Sequence, residues 1–204
     1  MAPVTTAREP RTPPGRGEED GAIIARSRRE PECFAGVFDR HYGAVHGYAA
    51  RRLGTGLADD VAAETFLIAF DRRETYDVAR GDARPWLYGI ASNLISRHHR
   101  AEVRQYRALA RTGASDVAEG HAERVAGRLD AQAARGALAA ALGSLAAGDR
   151  DVLLLVAWAQ LGVGETAEAL GIPAGTARSR LHRARKKIRA ALGDTDPLRE
   201  DLNR

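Results

Sequence analysis

Cysteine is almost absent from this chain, which carries one, Cys33, in 204 residues. A single thiol can form neither an intramolecular disulfide nor a zinc site built on several thiolates. We therefore expect a reducing, cytoplasmic setting, with Cys33 as a small buried hydrophobic residue. Aromatic residues make up only 5% of the chain, and alternating β-branched residues are scarce. Ala and Leu dominate the apolar residues instead, which predicts an all-α fold.

Long hydrophobic runs are also missing. The longest, Val152 to Ala159, is far shorter than the roughly 18 residues that a membrane-spanning helix needs. The first residues contain proline and arginine without an apolar stretch, so we interpret residues 1–19 as a disordered tail rather than a secretion signal. These features predict no stable membrane insertion.

Motifs of catalysis are lacking too. The sequence has no nucleophile elbow, no glycine-rich phosphate loop and no metal-ligand spacing. His98 and His99 are adjacent, which would place them on different faces of a helix. We expect no catalytic residues, no metal and no cofactor, and therefore not an enzyme.

Two helices joined by a tight turn are predicted between Gly164 and Leu192. Gly171 can adopt the left-handed conformation that a sharp turn needs, and Pro173 suits the start of the next helix. A hydrophobic stripe follows at helical spacing, which predicts one buried face. Its members are Ala177, Leu181, Ala184, Ile188, Ala191 and Leu192. This is a helix-turn-helix pattern, and its second helix is typical of one that lies in a DNA major groove.

Charge is concentrated on that second helix. Residues 173–192 contain five arginines, two lysines and no acidic residue, in a chain whose net charge is +4. A solvated surface helix could carry the same charge, but the preceding short helix and glycine turn favour DNA binding. The predicted DNA contacts are Thr176, Arg178, Ser179, Arg180, His182, Arg183 and Lys186.

Several helices are predicted before this motif. A short helix from Asp20 leads to Pro31, which opens a longer one, and Leu57 to Phe70 forms the next, with acidic residues at its start. Residues 71–83 are polar and predicted to form a loop. A helix opened by Pro85 would bury Leu87, Ile90, Ala91, Leu94 and Ile95.

A second face of that helix carries an aromatic ring, an amide and three guanidinium groups. Its members are Trp86, Asn93, Arg97, Arg100 and Arg104. Such a line suits a DNA strand, because a ring can stack on a base while arginines follow the backbone. The alternative interpretation is that Trp86 belongs to the core and the arginines form a solvated face beside the acids of the preceding helix.

Two small helical domains joined by a linker account for the whole pattern. Residues 112–128 have mixed charge and little apolar periodicity, which predicts a flexible linker that could include a frayed helix, and Asp130 could cap the next helix. The predicted division is a domain at 20–111, the linker at 112–128, a domain at 129–193 and an acidic tail at 194–204.

The chain resembles the bacterial RNA polymerase sigma factors of the extracytoplasmic-function (ECF) type. The resemblance is carried by ADDVAAETFLIAF at 58–70, WLYGIASNL at 86–94 and GIPAGTARSRLHRAR at 171–185. It implies an N-terminal domain for core polymerase and the minus-ten promoter element, and a C-terminal domain for the minus-thirty-five element. It also implies an anti-sigma protein as a partner.

Individual residues acquire expected roles from this resemblance. The polymerase contacts would be Asp59, Asp60, Glu64 and Phe66. The loop before Trp86 matches the element that captures a flipped base during strand opening, and Asn93 matches a residue near the minus-ten strand. Arg178, Ser179, His182 and Arg183 match positions that meet the minus-thirty-five duplex.

An ordinary helix-turn-helix regulator is the alternative function. Such a protein would bind duplex DNA without polymerase, typically as a dimer on paired half-sites. The acidic residues Asp59 and Asp60 near Phe66, followed by the Trp86 helix, favour the sigma factor because a regulator would not need them.

Overall fold

The computed structural model describes residues 19–113 and 122–192, and the part it describes contains helices and no strand. The all-α prediction is confirmed. The nine α-helices within these ranges are α1 (Asp20–Ser27), α2 (Ala35–Leu53), α3 (Thr55–Asp71), α4 (Arg84–Arg97), α5 (His99–Gly113), α6 (Ala122–Ser144), α7 (Ala147–Ala157), α8 (Val163–Ala169) and α9 (Ala174–Leu192). Short 3₁₀ helices occupy Pro31–Phe34 and Arg73–Thr75.

The first helices form one core. Helix α2 packs against α3, α4 and α5, and α3 packs against α4. Gly54 joins α2 to α3 with a φ of 83°, which allows the sharp reversal between them. Val37, Tyr48, Val61 and Leu87 are among the side chains buried between these helices. Helices α1–α5 are called the N-terminal domain below.

The helix predicted from Pro85 through the arginines is two helices rather than one. His98 has φ −98° and ψ 22°, and its carbonyl accepts the amide of Ala101 at the start of α5. The prediction that one continuous face runs from Trp86 to Arg104 is therefore wrong. Periodicity missed the break because one non-helical residue leaves the apolar spacing on each side unchanged.

Part of the predicted linker is helical, as the frayed-helix alternative allowed, and the start of the next helix differs from the prediction. Helix α5 continues to Gly113 and α6 already begins at Ala122, so Asp130 lies within a helix and does not cap one. Helices α5 and α6 pack against each other, and this tertiary contact extends both beyond their periodic parts. Residues 114–121 of the predicted linker, and the predicted tails at 1–18 and 193–204, lie outside the described residues.

Helices α6–α9, called the C-terminal domain below, contain the helix-turn-helix. Gly171 has a φ of 62°, which confirms the left-handed turn between α8 and α9. The predicted stripe is buried at Ala177, Leu181, Ala184 and Ile188. It ends there, since Leu192 is half-buried and Ala191, in the last turn, is exposed.

Cys33 is half-buried rather than buried. It lies in the first 3₁₀ helix, where its Sγ atom is 3.2 Å from Nε of Arg26 and 3.4 Å from Oε2 of Glu30. Its polar neighbours replace the hydrophobic surroundings that we expected for an unpaired cysteine.

Candidate nucleic-acid and polymerase interfaces

The basic face of α9 is displayed to solvent. Arg178, Ser179, His182 and Lys186 are exposed, on the side opposite the buried stripe. Their spacing places them along one side of the helix, and no acidic residue of α9 interrupts it. The helix-turn-helix therefore presents a row of hydrogen-bond donors to a ligand.

Two other predicted DNA contacts in α9 are partly covered. Thr176 is half-buried, and its carbonyl accepts a hydrogen bond of 2.9 Å from the Ser179 hydroxyl. Arg180 is also half-buried, with its guanidinium beside the α-carbon of Gly148 at the start of α7. Arg180 therefore packs between α9 and α7, unlike the fully exposed residues of α9.

Arg183 is exposed but already has a partner. Its Nε and Nη2 atoms donate to the two carboxylate oxygens of Asp149, at 3.1 and 2.8 Å. These hydrogen bonds, together with the charge of Asp149, raise the pKa of Arg183. The side chain remains 58% exposed, so the guanidinium can be reached from solvent.

The acidic face of α3 is the second surface. Asp59, Asp60 and Glu64 are exposed, as predicted for polymerase contacts. Phe66 is buried, with its ring centroid 5.1 Å from that of Phe38 and 5.9 Å from that of Tyr42. Phe66 therefore supports α3 from inside and cannot itself contact a partner.

Sequence reasoning missed Leu67, which is 61% exposed beside that acidic face. It lies seven residues after Asp60 and three after Glu64, so the three side chains share one side of α3. A large apolar side chain beside carboxylates indicates a protein contact more than a nucleic-acid contact. The available signal was that Leu67 falls outside the buried stripe of its helix.

The loop before α4 is firmly held by α1. The buried carboxylate of Asp20 accepts the backbone amide of Ala83 at 3.0 Å and a hydrogen bond of 2.8 Å from Nε2 of His41, and it also binds Arg40. Burial opposes ionisation of Asp20, but the hydrogen bonds and these neighbouring charges outweigh it and lower its pKa. The Tyr76 hydroxyl closes the loop by donating to the Arg80 carbonyl at 2.7 Å.

Trp86 is neither fully exposed for stacking on a base nor fully buried in the core, the two alternatives that the sequence left open. It is half-buried, with its ring centroid 4.8 Å from that of Tyr76, so it packs on the loop while keeping part of its surface free. Asn93 is exposed two turns further along α4. The loop and Trp86 are therefore in contact, while Asn93 lies on the same side of α4 about 10 Å further along the helix.

The three predicted arginines do not form a single group. Arg97 is exposed at the end of α4, with its Nη1 atom 3.4 Å from Oε1 of Glu64 on the acidic face. Arg100 and Arg104 are exposed on α5, beyond the break at His98. For Arg97 the alternative interpretation, arginine beside the acids of the preceding helix, agrees with the structure.

No helix in the described ranges has the length and hydropathy needed to cross a membrane. Within the same ranges, no group of three or more histidine, cysteine or acidic side chains is arranged to hold a metal ion.

Comparison with known proteins places both domains in one family. Sigma-70 region 2 matches residues 37–105, which span α2 to α5, and Sigma-70 region 4 matches residues 135–188, which include the helix-turn-helix. The two matches cover the acidic face of α3, the Trp86 helix and the basic face of α9.

Individual relatives extend over most of the chain. ECF RNA polymerase sigma factor SigC of Mycobacterium tuberculosis is 32% identical, over 75% of this chain and 78% of its own. SigL of the same species is 29% identical, over 83% of this chain and 94% of its own. The structure of CnrH in complex with the cytosolic domain of CnrY matches with a TM-score of 0.58 and 26% identity, over 85% of this chain and 96% of that one. This chain belongs to the ECF sigma factors of RNA polymerase.

Proposed function

We propose that this protein, a transcription initiation factor, binds core RNA polymerase through the acidic face of α3 and reads promoter DNA with two separate surfaces. Helix α9 enters the major groove at the minus-thirty-five element. The loop before α4, with Trp86 and Asn93, engages the minus-ten strand as it opens. The proposed site of action is the cytoplasm.

The exposed donors of α9 carry this proposal. A helix that buries an apolar stripe and presents Arg178, Ser179, His182 and Lys186 from a helix-turn-helix has the geometry of a recognition helix. Arginine can bind guanine through two hydrogen bonds, which distinguishes it from the other bases by about 1–3 kcal/mol.

The surface around Trp86 suits a different form of DNA. A half-exposed ring on a closed loop can stack on an unpaired base, while a duplex hides its bases from such a ring. Flipping a base costs a few kcal/mol. We infer that the large polymerase interface and the α9 contact together supply that free energy.

The polymerase contact is assigned to Asp60, Glu64 and Leu67. The carboxylates would select a basic surface, and Leu67 would add an apolar contact at its centre. CnrH was solved with the cytosolic domain of CnrY bound, and we include an anti-sigma protein among the proposed partners of this chain.

Separate substitutions on the two faces test the proposal. Arg178→Ala should reduce transcription from the cognate promoter about fivefold to a hundredfold if it loses a two-bond guanine contact, while co-purification with core polymerase is unchanged. Asp60→Lys should weaken that co-purification because it reverses a charge on the acidic face. Arg29→Ala, at an exposed arginine that lies outside α3, α4 and α9, is the matched control and should change neither.

Two outcomes would contradict the assignment. One is that Arg178→Ala abolishes polymerase binding. The other is that the purified chain binds promoter duplex as a dimer with no polymerase, which is the behaviour of the helix-turn-helix regulator.

A further inference from the structure

Helix α1 contacts the loop before α4 at both of its ends. This loop, residues 76–83, joins the second 3₁₀ helix to α4. Asp20, at the start of α1, accepts the backbone amide of Ala83 at the end of the loop. Arg28, directly after α1, holds the start of the loop, because its Nη2 atom donates to the Tyr76 carbonyl at 2.7 Å. One short helix and the residue that follows it therefore fix both ends of the loop.

The middle of the loop lies directly on the backbone of α1 at Gly21. The Gly21 amide donates to the Gly81 carbonyl at 3.4 Å. A β-carbon on Gly21 would lie 2.9 Å from the Arg80 carbonyl oxygen and still closer to that of Val78. Real β-carbons do not come so close to backbone oxygens, so the loop can follow this path only because residue 21 is glycine.

The other side of the loop is open to a ligand. The side chains of residues 77–80 are exposed to solvent, whereas Tyr76 and Ala83 at the two ends are buried. The Trp86 ring, one turn into α4, packs on the Tyr76 ring and stays partly exposed. The loop thus has an inner side that is fixed on α1 and an outer side that it presents together with Trp86.

A loop that is held in place before DNA arrives can receive an unpaired base at a low entropic cost. Ordering a mobile loop consumes part of the binding free energy, whereas a preformed loop leaves it available for separating the strands. Binding groups must also be held within about 0.5 Å of their productive positions. Because the Trp86 ring rests on Tyr76, a shift of the loop would move the ring as well.

We propose that α1 is a positioning element of the minus-ten site, and that Gly21 and Arg28 fix the loop before α4 in the shape that receives an unpaired base. The inference rests on the minus-ten role proposed above for the loop and Trp86. Neither positioning residue needs to touch DNA, because both act through the loop. Helix α1 precedes residues 37–105, which match Sigma-70 region 2, so this part of the site lies outside the matched segment.

Gly21→Ala is the most direct test. The added methyl group meets loop backbone rather than a flexible side chain, so the loop has to move. Gly43→Ala on α2 is the matched control, because no atom of the described residues lies within 4 Å of a β-carbon there. The probe is a single-stranded oligonucleotide from the minus-ten element of a promoter that the holoenzyme transcribes. Gly21→Ala should weaken its binding to the holoenzyme roughly fivefold to a hundredfold, the range expected from overpacking, and Gly43→Ala should not change it.

Arg28→Lys is a second variant that adds no bulk. Lysine keeps the positive charge but lacks the planar fork with which Arg28 donates to the carbonyls of Tyr76 and Arg73, at 2.7 and 3.2 Å. Oligonucleotide binding should weaken roughly threefold to tenfold, as expected for the loss of one hydrogen bond. Glu74→Gln is the control, since it removes only an exposed carboxylate 3.8 Å from Nε of Arg28, and it should leave binding unchanged.

Hydrogen exchange of the full chain reports how firmly the loop is held when no DNA is present. The loop amides should exchange faster in Gly21→Ala and Arg28→Lys than in the unsubstituted chain, while the amides of α3 are unchanged. Unchanged exchange in the loop would overturn the proposal. So would faster exchange in the loop with unchanged oligonucleotide binding.

Two further variants separate the possible causes of a loss of binding. Val45→Ala removes a buried side chain from α2, and it should lower the melting temperature without weakening oligonucleotide binding. A loss of binding equal to that of Gly21→Ala would show that general stability is the cause and would overturn the proposal. If Trp86→Ala weakens binding and Gly21→Ala does not, the minus-ten role stands and the positioning role of α1 is wrong. If Trp86→Ala leaves binding unchanged, the minus-ten role itself is wrong, and α1 then positions no minus-ten site.

Discussion

The two surfaces proposed to bind DNA differ in how they are built. The α9 surface lies on one unbroken helix, with its donors on one side and its apolar stripe on the other. The surface around Trp86 combines a loop, the first turns of α4 and a tether from α1. A surface on one helix depends on local periodicity, whereas a surface assembled from several segments depends on contacts distant in the sequence.

The largest effect is expected from the buried side of α9. Leu181→Ala should lower the free energy of unfolding of the helix-turn-helix by about 2–5 kcal/mol, because it removes a core side chain and leaves a cavity. The neighbouring exposed residue gives the control: His182→Ala should change it by less than about 0.5 kcal/mol. Urea unfolding followed by circular dichroism measures both. Equal losses of stability would contradict the assignment of the fold-stabilising role to the buried side of α9 alone.

Asp20→Asn should weaken the contact of α1 with the loop before α4, beside Trp86, by about 1–3 kcal/mol. The reason is that a buried carboxylate with three partners is replaced by a neutral amide. Because the pKa of Asp20 is lowered in the folded protein, its stabilisation is complete above the ordinary aspartate value of about 3.9 and is lost as the pH falls through the lowered pKa of the folded state. The difference in unfolding free energy between the variant and the unsubstituted chain should therefore be smaller at pH 3 than at pH 7. A constant difference between them would contradict this role.

Gly171→Ala should cost about 1–2 kcal/mol, because alanine is strained at the positive φ of the turn. Gly164→Ala, within α8 and with open space around it, is the matched control and should be neutral or slightly stabilising. Thermal unfolding compares the two. If both lost stability, the turn conformation would not be the cause.

The smallest effect concerns the break at His98. Asn93→Ala should reduce binding of a single-stranded minus-ten oligonucleotide by the holoenzyme, whereas Arg104→Ala should reduce it less, because α5 starts a new helix. A lost phosphate contact would lower the salt dependence by about 0.7 per contact for a single strand. If both substitutions reduced binding equally, with equal changes in its salt dependence, the sequence prediction of one continuous face from Trp86 to Arg104 would be favoured again.

Local features of the fold followed directly from the sequence. The turn at Gly171 and the buried residues from Ala177 to Ile188 were predictable, because a glycine and a 3.6-residue period act within a few residues of each other. The break at His98 and the early start of α6 were not, since both depend on which helices pack together.

The residues predicted to be functional divide in the same way. The exposed acids of α3 were predictable from its periodicity, but the burial of Phe66 was not, because it depends on Phe38 and Tyr42 in another helix. The tether from Asp20 to Ala83 joins residues 63 positions apart, and no local pattern reports such a contact. Leu67 could have been noticed as an apolar residue outside its own stripe.

The pairing of Arg183 with Asp149 has a consequence for the ionic-strength dependence of promoter binding. The Arg183 guanidinium is already paired with the carboxylate of Asp149, which serves as its counterion. If Arg183 binds a DNA phosphate, the phosphate replaces this carboxylate rather than an ion from solution. Such an arginine adds charge to the basic helix yet contributes little to the release of salt ions that drives non-specific attachment. The slope of binding against salt should be smaller than the number of cations on α9 implies, and the protein should dwell less on random DNA.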